Sequence, residues 1–79
     1  MSEVKTYTLD TKGLRCPEPV MMLHNVVRDA MAGDKIIVVA TDPSTVRDIP
    51  KFCTFLGHPL LESRQEGELF IFELQKATP

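Results

Sequence analysis

The sequence predicts an α/β (α+β) two-layer sandwich, with elements in the order βαβαββ and two helices on one face of a four-stranded mixed sheet. Three observations carry that expectation: a β-branched run from Ile36 to Ala40, apolar stripes at helical spacing on either side of it, and a clean alternation from Leu69 to Leu74.

Lys5 to Asp10 alternates, placing Tyr7 and Leu9 on one face, and reads as the first strand. Gly13 and the prolines at 17 and 19 end that pattern. From Pro17 the period changes, and Val20, Leu23, Val27 and Ala30 fall on one stripe of an amphipathic helix. Pro17 suits the first helical position, where its missing N–H costs nothing, which puts Cys16 at the N-cap. Gly33 is then expected to supply a left-handed C-cap. Ile36 to Ala40 is typical of a central strand covered on both faces or buried in a parallel pairing, and the βαβ unit should cross over right-handed.

Asp42-Pro43 can cap a second helix, whose stripe is Val46, Ile49, Cys53 and Leu56 and which closes at Gly57 and Pro59. Pro50 allows two versions of it. Either an irregular turn covers Ser44 to Arg47 and the helix begins with Asp48 as N-cap, or a longer helix is kinked. Leu60 to Gln65 is a weaker strand, Glu66-Gly67 signals a tight turn, and Phe70, Phe72 and Leu74 share one face of the last strand. Leu69 and Ile71 fall on the opposite face, which is an apolar contact patch if nothing covers it.

The 79 residues suffice for one domain, expected over 1–79 with an ordered core from about 5 to 76. A chain this short buries only roughly 60% of its unfolded surface, which leaves little room for a deep substrate pocket. Chemistry is therefore expected at the surface, beside a partner that supplies the rest of the site. The net charge of −2 and the scattered Lys and Arg residues argue against direct nucleic-acid binding. No apolar stretch approaches a membrane span, and Met1-Ser2-Glu3-Val4-Lys5 shows no signal-peptide pattern. A cytoplasmic protein without membrane attachment is expected.

Two cysteines, Cys16 and Cys53, stand far apart and form no C-x-x-C pair, which removes the usual dithiol redox motif. With His24 and His58 they show no recognisable ligand spacing, so neither a metal nor another cofactor is expected. Cys53 lies on an apolar stripe and reads as inert core; His24 and His58 read as plain surface residues. Cys16, between Arg15 and Pro17 at the start of the first helix, is the candidate reactive centre. The helix dipole and Arg15 favour its thiolate, while Glu18 in the first turn opposes both, so a moderately lowered pKa is expected. Pro17 and Pro19 offer no N–H, which leaves the Glu18 N–H to cap the sulfur. The two fixed prolines make the segment stiff and hold the sulfur outward. Of Met21 and Met22, one suits the core and the other a soft apolar patch near the sulfur. No general base is paired with Cys16, so a Cys-His hydrolase is not indicated.

Gly13-Leu14-Arg15-Cys16-Pro17-Glu18-Pro19-Val20-Met21-Met22, then Asp42-Pro43 and Arg47-Asp48-Ile49-Pro50, then Phe52-Cys53, resemble the TusA (SirA-like) family of sulfur-carrier proteins. The resemblance runs from about Leu9 to Leu74. It implies a sandwich like the C-terminal domain of translation initiation factor 3. It also implies that Cys16 accepts persulfide sulfur from a cysteine desulfurase and relays it through a TusBCD-type complex to 2-thiolation of the tRNA wobble uridine, with links to molybdenum cofactor assembly. Such a protein is a sulfurtransferase-type carrier, not a stand-alone catalyst. Arg15, Pro17, Glu18, Pro19 and Met21 are then the expected positioning or docking residues; Arg28, Arg47 and Asp48 could also dock, although a solvated charge explains any one of them. Thiol–persulfide exchange asks for an accessible thiolate that can both attack and leave. Two rival readings are a regulatory or interaction module that uses the same surface without sulfur transfer, and an RNA-binding module suggested by fold alone.

Overall fold

A computed structural model describes residues 4–77. The chain runs β1 (Thr6–Thr11), α1 (Glu18–Asp29), β2 (Lys35–Ala40), α2 (Thr45–Leu56), β3 (Leu60–Glu66) and β4 (Leu69–Gln75), the expected order. The sheet order is β1-β2-β4-β3; β1 and β2 are parallel and the other neighbours antiparallel. Among the described residues no helix is long and apolar enough to cross a membrane.

Alternation aligns the inward side chains of three strands into rows: Tyr7–Ile36–Leu74, Leu9–Val38–Phe72 and Thr11–Ala40–Phe70. Both helices lie on this face. Leu23 and Val27 of α1 and Ile49, Phe52 and Cys53 of α2 join the sheet residues in one core. The stripe expected of α1 is the observed one, with Pro19 also buried. In α2 the stripe is corrected: Val46 is 50% and Leu56 40% exposed, and the inward side chains are Thr45, Ile49, Phe52 and Cys53.

Helix α2 is one element from Thr45 with Pro50 inside it, not a helix begun by Asp48. The carbonyl of Asp42 accepts the Thr45 N–H at 3.0 Å and the Thr45 hydroxyl at 2.6 Å, so the chain is already turned into the helix at that point. Pro50 removes only the ladder bond to the Val46 carbonyl. Gly57, at φ 77°, closes the helix in the left-handed conformation, as expected.

Helix α1 ends earlier than expected. Its C-cap is Ala30, in extended conformation, and not Gly33, which serves the following turn. Asp34 is the cause. Its carboxylate accepts the Met31 N–H at 2.9 Å and the Lys5 N–H at 3.0 Å, drawing the chain out of the helix while tying it to the start of β1. Lys76 closes the exposed helix end by donating to the Ala30 carbonyl at 2.7 Å. These two N–H bonds hold the Asp34 carboxyl below its ordinary pKa. Its ionised form therefore contributes stability that is full above the unfolded pKa and lost as pH falls through the lower folded value. Asp34→Ala is expected to lower the melting temperature at pH 7 and to flatten the acid limb of the stability curve, whereas the exposed Asp29→Ala leaves both unchanged; thermal melts from pH 2 to 7 check this.

The outer face of the sheet is not a bare apolar patch. Ile71 is only 8% exposed there and Leu69 is half-buried. Ile71 lies opposite Val39 on one side and Arg64 on the other. Arg64 is held between Glu62 and Glu66, spreading a charged lattice over that end of the sheet. The β3–β4 turn is the expected tight one, with Gly67 at φ 61° in its first central position.

Candidate functional site

Because β1 and β2 run parallel, their C-terminal ends lie side by side, and the segments that leave them meet at one edge of the sheet. Residues 12–17 and 41–44 are joined there by hydrogen bonds. The Gly13 N–H donates across to the Thr41 hydroxyl at 2.9 Å, while the Leu14 N–H turns back to the Thr11 carbonyl of its own segment at 3.1 Å. Gly13 turns at φ 83°, a conformation that side chains with a Cβ adopt only at a cost. Below them Thr11, fully buried, donates its hydroxyl to the Val39 carbonyl at 2.8 Å.

Asp42 fastens the two segments. One carboxylate oxygen accepts the Cys16 N–H at 2.6 Å and the other accepts the Ser44 N–H at 3.0 Å. The Ser44 and Cys16 N–H bonds, with help from the Arg15 charge, hold the Asp42 carboxyl below its usual range. A backbone position fixed by an ionised carboxylate is a strong restraint, because charge-assisted bonds are short and directional.

Cys16 does not occupy the N-cap expected of it. That position belongs to Pro17, whose carbonyl accepts the Met21 N–H at 3.0 Å, and the Cys16–Pro17 peptide is cis. The Glu18 N–H is taken by the Arg15 carbonyl at 2.9 Å, so it does not reach the sulfur. With no N–H on Pro17 or Pro19, the front of α1 offers only the Val20 N–H. Its field on the sulfur is correspondingly weak.

The sulfur faces a carboxylate instead. The Cys16 thiol donates to Oδ2 of Asp48 at 3.3 Å, while Oδ1 of Asp48 accepts from Nε of Arg47 at 3.0 Å. The expected lowering of the Cys16 pKa is therefore reversed. The Asp48 hydrogen bond, then partial desolvation, then the Asp48 and Asp42 charges raise it, against a smaller opposing effect of the Ser44 hydroxyl. The carboxylate that opposes the thiolate is Asp48 on the second helix, and Glu18 does not figure among the causes. Arg47 first, and the thiol second, keep Asp48 ionised. Cys53 stands apart, buried in the core and pushed up to about 11 by desolvation. His58 accepts the Ala77 N–H at 3.0 Å and packs near Phe52, and burial together with Lys76 lowers its pKa.

Beside the sulfur lies an open groove of about 350 Å³. Pro17, Val20, Phe52 and Phe55 make its apolar lining, with Asp48 and Lys51 as polar members. Phe55 is 85% exposed, an unusual position for an aromatic ring. Arg15, Pro17 and Glu18 are exposed around Cys16, whereas Pro19 is buried and can position the segment but not touch a partner. Met22 packs on the core and Met21 is 58% exposed, outside the groove lining. Lys51 and Phe55 beside Cys16 are residues that the sequence did not single out, while Asp42 and Asp48, read there as a helix cap and as a capping or docking charge, contact Cys16 itself. The signal for them was topological: in a parallel βαβ arrangement the loops after successive strands converge. Among the described residues no group of three His, Cys, Asp or Glu side chains is placed to hold a metal ion.

The family model for sulfurtransferase TusA matches residues 7–76. The sulfur carrier protein TusA of Pseudomonas paraeruginosa (strain PA7) is 59% identical over 68 residues, which cover 86% of this chain and 86% of that protein. The sulfur carrier protein TusA of Pseudomonas entomophila is 58% identical over 69 residues, 87% of this chain and 86% of its own. The crystal structure of a SirA-like protein from Desulfitobacterium hafniense superposes with a TM-score of 0.78, covering 91% of this chain and 99% of that one at 18% identity, a similarity of fold.

Proposed function

Since the chain belongs to the TusA family of sulfur carriers, we propose that it takes sulfane sulfur from a cysteine desulfurase as a persulfide on Cys16 and passes it to a TusBCD-type relay for 2-thiolation of the tRNA wobble uridine, with molybdenum cofactor assembly as a second destination. The observation that carries this reading is the exposed Cys16 thiol, held on a fixed backbone at the lip of an apolar groove, while the other thiol of the chain is buried.

In the transfer, the Cys16 thiolate attacks the terminal sulfur of the donor's persulfide. The donor's S–S bond breaks, a new S–S bond forms on Cys16, and the departing donor thiolate takes up a proton. Nothing is oxidised or reduced overall, so no cofactor is needed. Handing on repeats the exchange with the acceptor's thiol. A surface site suits this chemistry, because two successive partners must each bring a sulfur to within bonding distance of the same atom. Cytoplasmic partners accord with a free, reduced thiol on the surface.

The test is loading: incubate the protein with a desulfurase and isotopically labelled cysteine, digest, and map the added sulfur by mass spectrometry. Label on the Cys16 peptide is expected; label confined to Cys53, or none, overturns the reading. The groove makes a further prediction. Phe55→Ser removes a ring that the fold does not bury, so the melting temperature should stay within about 2 °C of wild type, the small effect usual for exposed positions. The desulfurase concentration needed for half-maximal loading should rise about tenfold or more, as when an aromatic contact at an interface is removed.

A further inference from the structure

The sulfur of Cys16 sits between groups that want opposite things of it. Asp48 accepts the thiol proton's hydrogen bond at 3.3 Å. Ionisation would abolish that bond and set two anions against each other at hydrogen-bond distance, a contact that disfavours the thiolate. Arg47 shares the charge of Asp48 through its other oxygen at 3.0 Å, and Asp42 fixes the backbone that carries the sulfur by accepting the Cys16 N–H at 2.6 Å. The Ser44 hydroxyl pulls the other way and favours the anion, and its oxygen is buried without a hydrogen-bond partner. Asp42 adds negative charge, Lys51 lines the same groove, and Arg15 and Glu18 are exposed on the flanking segment.

We propose that Asp48 is a positioning residue that keeps Cys16 in its protonated form while the carrier is free, with Arg47 moderating that hold, so that the nucleophile is released only when Asp48 is neutralised or displaced at a docked partner. On release the thiol proton passes to water and the sulfur is left as thiolate at the lip of the groove. The proposal rests on the carrier reading only for its purpose; the restraint itself is a property of the isolated protein. It separates storage from transfer. A carrier that met oxidants or electrophiles as a bare thiolate would be consumed by them.

The experiment is the pH dependence of Cys16 alkylation by iodoacetamide in the purified full chain, read by peptide mass spectrometry, for wild type, Asp48→Asn and Arg47→Gln. Asp48→Asn should move the midpoint down and raise the rate at pH 7.5 about 5- to 10-fold, a tenfold change in thiolate per unit of pKa being the scale. Arg47→Gln removes a cation that favours the anion and should move the midpoint up and lower the rate. A loosened fold would raise both rates and expose Cys53 to alkylation, so opposite movement with Cys53 unmodified supports the assignment. An Asp48→Asn midpoint that stays or rises, or an Arg47→Gln midpoint that stays or falls, overturns it. Labelled-sulfur loading of the wild type keeps the two readings distinct: loading with unmoved midpoints sinks the role of Asp48 alone, and moved midpoints without loading sink the carrier reading alone.

Discussion

Cys16→Ser is expected to abolish sulfur acceptance, with loading below a hundredth of wild type, while Cys53→Ser retains most of it. The hydroxyl that replaces the thiol has no nucleophilic anion at neutral pH and forms no stable bond to sulfane sulfur, so the loss should be complete and not partial. Folding should not suffer, because Cys16 is exposed, its N–H bond to Asp42 belongs to the backbone, and a serine hydroxyl can still donate to Asp48. Cys53→Ser is the reverse case. It places a hydroxyl in the core beside Phe52 and costs stability, about 1–3 kcal/mol for a buried polar group without a partner. Loading assays on both variants, with thermal melts beside them, check the pair. The regulatory or interaction reading expects Cys16→Ser to keep every function of the protein, so the same variant decides between them.

The largest loss of stability should come from Phe72→Ala. Phe72 is 1% exposed and lies in the middle row of the sheet, between Val38 on one side and Ser63 on the other. Truncating a buried phenylalanine costs about 3–5 kcal/mol, the transfer energy together with the cavity left behind. A 79-residue domain has about 4–12 kcal/mol in total. The variant should therefore be largely unfolded near body temperature or melt tens of degrees below wild type. Circular dichroism melts and urea titration would measure it, and a variant within about 1 kcal/mol of wild type would contradict this account of the core.

The fold was legible where the period of the apolar residues had one interpretation. Phe70, Phe72 and Leu74 alternate, and they line one face of β4; Leu23 and Val27 repeat at helical spacing, and they line α1. Reading became less exact where a single polar side chain decides a boundary. Gly33 looked like the end of α1, but the Asp34 carboxylate ends it sooner by claiming the Met31 N–H. Pro50 left open whether α2 began at Asp48 or ran longer, and the Asp42 carbonyl decides it by starting the helix at Thr45. Such choices depend on where the chain returns in space, and local pattern does not contain that.

The site divides in the same way. Cys16, Pro17 and Glu18 announced themselves by adjacency. The group that governs the sulfur lies 32 residues away on another helix, and the expected effect of Glu18 was the right kind of interaction assigned to the wrong carboxylate. Phe55 escaped notice because it falls off the apolar stripe of α2, which is also why it is free to face outward.

The double grip of Asp42 has a meaning for engineering. Cys-Pro-Glu-Pro is not a portable cassette. Its backbone is aimed by a carboxylate that belongs to the turn after the neighbouring strand, so grafting the four residues onto another βαβ scaffold would transplant the thiol without its bearing. The transferable unit is the pair of adjoining loops, and any redesign of one must be paired with the other.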